Sequence, residues 1–220
     1  MAPSIVVSYD GTPDDDDALA LGKLFAEAGA SIALAYVRHS HLEDAAAEER
    51  ESRAAMKLLE SGAATVGEGT KTYVLFNPST AEALRSLIER DGFDVIVFGS
   101  SYRTPAGHVA PGRAAQVLID GGPAAVALAP AGLRDKHPKI EKIALVSAAP
   151  GDAAEQTAKS FGAEVVPAPA SGVGLLVLAS RPTVAKGKVS IPAASEQLAE
   201  ESAGCPVLVV ANDTPLDFGS

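Results

Sequence analysis

The residues of this 220-residue chain best suited to binding chemistry lie around two glycines. Gly99 closes the apolar run Asp94 to Phe98, and Gly112, followed by Arg113, opens a helical stretch beyond a Gly/Pro-rich loop. Glycines let backbone N–H groups approach an anion, and a helix start favours negative charge through its dipole. Arg113 adds a guanidinium that can grip a phosphate with two parallel hydrogen bonds. The structural alternative is that Gly99 and Gly112 serve only a turn and a helix start. Arg103 and His108, in the same loop, either meet a ligand or stand in solvent.

Asp10, Gly11 and Thr12 follow the first apolar run, and four acidic residues, Asp14 to Asp17, come next. Consecutive helical carboxylates point in different directions, so the run fits dipole compensation at a helix start better than a Mg²⁺ site. His39, His41 and His137 show no metal-ligand spacing with cysteines or carboxylates, so no metal is expected. Cys205, at a strand start, reads as packing rather than catalysis. No nucleophile, base and orienting group can be assembled, so enzymatic activity has no positive support.

The elements that position these residues alternate in type. Ser4 to Tyr9 and Ser31 to Val37 have strand length, and between them Leu19, Leu21, Leu24 and Phe25 suit one helical face. Thr12 is a candidate cap for that helix, with Pro13 in its first turn. A second helix is expected over Leu42 to Ser61, a strand over Lys71 to Phe76, and a third helix from Pro78-Ser79 with Leu84, Leu87 and Ile88 on one side. Strands alternating with helices imply an open parallel sheet covered on both faces, the α/β class.

The chain then repeats itself with parts missing. Asp94 to Gly99, a loop, a helix from Gly112 and Pro123 to Ala129 are echoed by Gly174 to Ala179, a loop, a helix from Ala193 and Pro206 to Ala211. Ser4 to Tyr9 is matched by Ile140 to Ser147. The expected organisation is two tandem units, 1–133 and a shortened 138–212, joined by a linker over Pro130 to Pro138 and followed by a tail, 213–220. In the second unit a helix spans Asp152 to Phe161. A short strand at Ala163 to Val166 is left open, because the residues before Leu175 are too few for the dozen or more of an ordinary parallel crossover. Ala179 stands for the first glycine and, counting back from the last strand, Ser195 for the third, with Lys186-Gly187-Lys188 between them.

A net charge of -10 argues against a nucleic-acid partner, which normally needs a basic face. Neither a signal peptide nor an apolar run of membrane-spanning length is visible, so no membrane partner is expected. The single cysteine makes a reducing cytoplasm the default location.

Asp10-Gly11-Thr12 after the first strand, the strand-final Gly99, Gly112 at a helix start and the Pro-led ending Gly204-Cys205-Pro206-Val207-Leu208-Val209-Val210 together resemble the universal stress protein family, over residues 1 to 130 and more weakly 138 to 212. The resemblance implies the adenine nucleotide α-hydrolase-like fold, a stress-response role, and an ATP-binding loop of the form G-x2-G-x9-G-(S/T). Gly99 and Gly112 match its first and third glycines; Tyr102 replaces the second and Arg113 the Ser or Thr. It further implies that Asp10 contacts the adenine or ribose and that Val37 faces the adenine, so that Asp10, Gly11, Val37, Gly99, Gly112 and Arg113 form the expected site; the residues by themselves equally allow Asp10 to end a strand and Val37 to belong to the core. Units of this family commonly associate through their fifth strands, which makes Ala124 to Ala129 and Val207 to Ala211 candidates to meet within one chain. A homodimer is a further expectation. The competing reading is a non-enzymatic scaffold with no nucleotide, and Tyr102 favours it.

Overall fold

A computed structural model describes residues 1–39, 44–67, 69–136, 139–193, 195, 197, 199 and 204–219. In the first half β1 (Ser4–Ser8), α1 (Pro13–Glu27), β2 (Ser31–Arg38), α2 (Ala45–Val66), β3 (Lys71–Phe76), α3 (Thr80–Asp91), β4 (Val95–Phe98), α4 (Arg113–Ile119) and β5 (Ala125–Leu128) alternate. The second half holds β6 (Lys142–Val146), α5 (Ala153–Ser160), β7 (Glu164–Pro167), β8 (Leu175–Ala179) and β9 (Val207–Val210). Ala193, Ser195, Gln197 and Ala199 are helical. Of the helix expected over Leu42 to Ser61, its first two positions lie outside the described residues, as do His41, His137 and Pro138.

The nine strands of the described residues form one sheet in the order β3-β2-β1-β4-β5-β9-β8-β6-β7. The order reads the same from either edge towards the middle, except that among the described residues the second half has no counterpart of β3. Every named strand pair is parallel except β5 with β9, where Val126, Ala127 and Leu128 face Val209, Leu208 and Val207 in antiparallel register. The two last strands therefore meet within the chain.

Two core layers cover the sheet. Ile5, Val7, Val95, Val97, Leu175 and Val177 point to the layer built by α1, α2 and α5. Val6, Ile96, Phe98, Leu176 and Leu178 point to the layer of α3 and α4. Burial on both faces explains why these strands read as unbroken apolar runs.

β7 joins the sheet beside β6, although the short connection to β8 had counted against it. Pro167 lies level with Leu145 and Leu175 level with Ile143. The connection 168–174 therefore spans two strand spacings, roughly 10 Å, and two residues of rise, roughly 7 Å, which extended chain covers without a helix. Ala168, Ala170 and Val173 pack on the α3/α4 layer, so this strap covers β6 where a helix would otherwise lie.

The β4–α4 loop is built twice. Ser100 Oγ donates to Ala129 O (2.7 Å) and accepts from Ala110 N (3.2 Å), and Ser101 N donates to Ala110 O. In the second half Ser180 Oγ donates to Val210 O (2.7 Å) and accepts from Ser190 N (3.3 Å), and Arg181 N donates to Ser190 O. The bonds Gly107 N to Ala131 O and Ala131 N to His108 O recur as Gly187 N to Asn212 O and Asn212 N to Lys188 O. Gly107 and Gly187 take matching left-handed conformations, φ 83° and 77°. By this offset Pro192, and not Ser195, occupies the place of Gly112; Ser195 is buried in the first turn of the helix.

The tail runs back across both halves. Leu216 N donates to Thr157 Oγ1 (2.9 Å) and Phe218 N to Ser160 Oγ (3.1 Å) on α5. The Phe218 ring stacks on Phe161 (4.1 Å between centroids) and lies against Phe25 of α1 (5.4 Å).

Candidate functional site

The β1–α1 turn is set by a reciprocal cap. Asp15 N donates to Thr12 Oγ1 (3.4 Å), and the Asp15 carboxylate accepts from Thr12 Oγ1 (2.8 Å), Thr12 N (3.2 Å) and Asp10 N (3.0 Å). This capping box and Pro13 fix the start of α1. Asp10 is exposed and its Oδ1 accepts from Thr12 N (3.3 Å). Gly11 has φ +81°, and a side chain there would press on Leu58 of α2. Burial, then the hydrogen bond and charge of Asp10, push the Asp15 carboxyl up to about 7, against the lowering effect of Thr12 and of the Asp10 N–H.

The acidic run is therefore not uniform dipole compensation. Asp15 caps, Asp16 accepts from Tyr9 Oη (3.4 Å), and Asp17 is buried. The Asp17 carboxylate accepts from Gly132 N (2.7 Å), Arg134 N (2.8 Å) and Arg134 Nη1 (3.0 Å), while Arg134 also donates to Pro13 O (2.9 Å). It clamps the segment after β5 onto α1. Nothing in residue type marks Asp17 out from its three neighbours; its position one turn into the helix does.

The two loop glycines prove different. A Cβ on Gly99 would overlap the carbonyl of Asp14 in α1, so this glycine is required by packing. Gly112 caps α4 with an ordinary φ of -71°, and a side chain there would meet nothing within 4 Å. No contact within the protein accounts for it. Tyr102 is 73% exposed, with the Arg103 guanidinium 4.9 Å from its ring centre. Val37 is buried in the α3/α4 layer.

Arg113 lines a cleft of about 350 Å³ with His39, Pro78, Ser79, Thr80 and Val117. The cleft lies at the carboxyl ends of β2 and β3, between the starts of α3 and α4. Asn77 Oδ1 accepts from Ser79 N (2.9 Å) and Ser79 Oγ from Glu82 N (3.4 Å), which fixes the start of α3. His39 Nδ1 is 3.2 Å from Asn77 O, which selects Nδ1–H as the donor, and its Nε2 is 3.5 Å from Thr80 Oγ1. The structure thus brings Arg113 together with His39, Ser79 and Thr80, while Asp10, Gly11, Val37, Gly99 and Gly112 do not line this cleft. Neighbouring Arg38 is already engaged, donating to both Glu48 oxygens (2.7 and 2.8 Å) and to Ser52 Oγ (2.9 Å). Among the described residues no three His, Cys, Asp or Glu side chains group as a metal site. Cys205 is buried, which pushes its thiol up to about 11.

No family model matches the sequence, and no curated protein matches it. Among solved structures, a universal stress protein from Archaeoglobus fulgidus DSM 4304 is similar over 94% of this chain and 98% of its own, with TM-score 0.66 and 15% identity. The universal stress protein UspA from Lactobacillus plantarum matches 58% of this chain and 97% of its own, with TM-score 0.43 and 19% identity. A universal stress protein in complex with cAMP matches 44% and 75%, with TM-score 0.36 and 15% identity. The first likeness, over nearly the whole of both chains, establishes the fold: the mostly parallel α/β sheet of the universal stress proteins.

Proposed function

We propose that this chain is a universal-stress-type stress-response protein of two tandem units, the second shortened, and that its first unit binds an adenine nucleotide without turning it over. The duplication is supported by the shared strand order and by the matching hydrogen bonds of the two β–α loops. Binding at the carboxyl end is supported by the general placement of ligands in open parallel sheets. The observation that carries the nucleotide reading is the convergence on one cleft of Arg113, His39, the Thr80 hydroxyl and the start of α3, beside the sterically unneeded Gly112. The first N–H groups of a helix lack helical partners and suit a phosphate. ATP is the nucleotide we favour, with Asp10 and Gly11 on the base or ribose side. A cytoplasmic location agrees with the single buried thiol.

Calorimetric titration of the whole protein with ATP tests the site. Arg113→Ala and Gly112→Val should each weaken binding by about tenfold or more, the effect of losing one charge-assisted contact or its approach. Equal affinity in the wild type and both variants sinks the assignment. A second reading, a scaffold with no nucleotide, is favoured by one relationship: the Asp15 carboxylate already takes the Asp10 and Thr12 N–H groups. Wild-type protein that fails to bind ATP would support it.

A further inference from the structure

The amino end of the sheet, opposite the nucleotide cleft, carries a larger cleft of about 480 Å³ lined by Ser31, Ala33, Lys71, Tyr73, Asp91 and Phe93. Register creates it. β3 begins at Lys71, opposite Ala33, so Ser31 and Ile32 at the start of β2 run past the edge strand with no partner on that side. At the end of α3, Gly92 turns the chain with φ 73° and returns it so that Phe93 stands against Tyr73. The two rings are 5.8 Å apart and nearly perpendicular, at 86°. Such a corner accepts a third ring flat against one face and edge-on to the other.

The polar groups around the corner are unequally committed. Arg90 grips Asp91 through two bonds, 2.6 and 3.0 Å, and the same carboxylate acts on the Tyr73 phenol. The Arg90 bond, foremost, holds the Asp91 carboxyl below its usual range, and burial raises the Tyr73 phenol, so that hydroxyl remains a donor. Lys71 is different. Its exposed ammonium makes no ion pair with a described residue and acts on Asp91 only through space. An aromatic corner with an uncommitted cation on its rim and a serine hydroxyl at its edge is a mostly apolar site with a few orienting polar groups.

We propose that this cleft binds a small aromatic carboxylate, its ring in the Tyr73–Phe93 corner and its carboxylate at Lys71 and Ser31. The site shares no residue with the nucleotide cleft, so either can fail without the other.

Amide chemical shifts of the whole protein, followed during titration with phenylacetate and with uncharged phenylacetamide, test it. Phenylacetate should move the amides of Lys71 to Tyr73 and of Phe93. Lys71→Gln should weaken phenylacetate about tenfold, one charged contact, and leave phenylacetamide unchanged. Tyr73→Leu, which keeps an apolar side chain in the sheet, should abolish binding of both. If phenylacetate leaves those amides unmoved, or binds Lys71→Gln as it binds the wild type, the proposal is wrong. Neither result depends on whether Tyr73→Leu folds.

Discussion

The carbonyl of Asp14 occupies the space that a side chain at Gly99 would need. The end of β4 and the start of α1 are thus in backbone contact, beside the capping box and the Asp17 clamp. Gly99→Ala has no room to relax, because the obstacle is backbone rather than a movable side chain. It should cost about 2 kcal/mol or more, as overpacking does, seen as a lowered urea midpoint. Ala179→Gly at the equivalent place in the second half should cost only about 1 kcal/mol. Equal losses would show that the Asp14 contact is not what requires the glycine.

Asp17 is 1% exposed and makes three hydrogen bonds to the segment after β5. Asp17→Ala strands the Gly132 and Arg134 N–H groups and should destabilise by about 3 kcal/mol, as breaking a buried pair does. Arg134→Ala leaves both backbone donors on the Asp17 carboxylate and removes only a bond from a side chain that is 37% exposed, so it should cost less. Urea unfolding of the two variants measures the order; the reverse order would refute the clamp.

The raised carboxyl of Asp15 sets the direction of a pH effect. A group held above its ordinary 3.8, here at about 7 in a pair with Asp10, binds its proton more tightly folded than unfolded. Its contribution to stability is complete below about pH 4 and lost as pH rises through about 7. Asp15→Asn removes that group. The melting temperature of the wild type, relative to Asp15→Asn, should therefore fall between pH 4 and 8. A relative rise over that range contradicts the assignment.

Burial and a thiol raised to about 11 make Cys205 unreactive in the native state. At pH 8 a disulfide reagent should label it only after denaturant is added. Rapid labelling of native protein would mean that the start of β9 opens readily.

Much of this architecture was legible because burial on both faces writes each strand as an apolar run, and because Thr12 and Pro13 announce α1 chemically. β7 is harder to read, because the dozen-residue rule assumes a helix in the crossover, whereas chain 168–174 makes it extended. The site was less legible. Gly99 and Gly112 are the same residue, one held by a backbone contact and one by none, and only the packing of α1 on β4 separates them. Val37 follows the face of Ala35 and is buried with it, as alternation along a strand requires. The meeting of Arg113 with Ser79 and Thr80 depends on how α3 and α4 lie side by side, which no local pattern encodes. Counting back from the last strand through a loop and helix misplaces Ser195; the matching bonds of Ser100 and Ser180 give the correct offset.

The contact of Phe218 with Phe25 joins residues near the two ends of the chain, and β9 closes on β5 only once residues 207–210 exist. On a ribosome, the first half would therefore emerge complete except for its last neighbour, its β5 edge bare until residues 207–210 clear the exit tunnel. A substitution at Leu216 or Phe218 therefore acts on the last step of assembly.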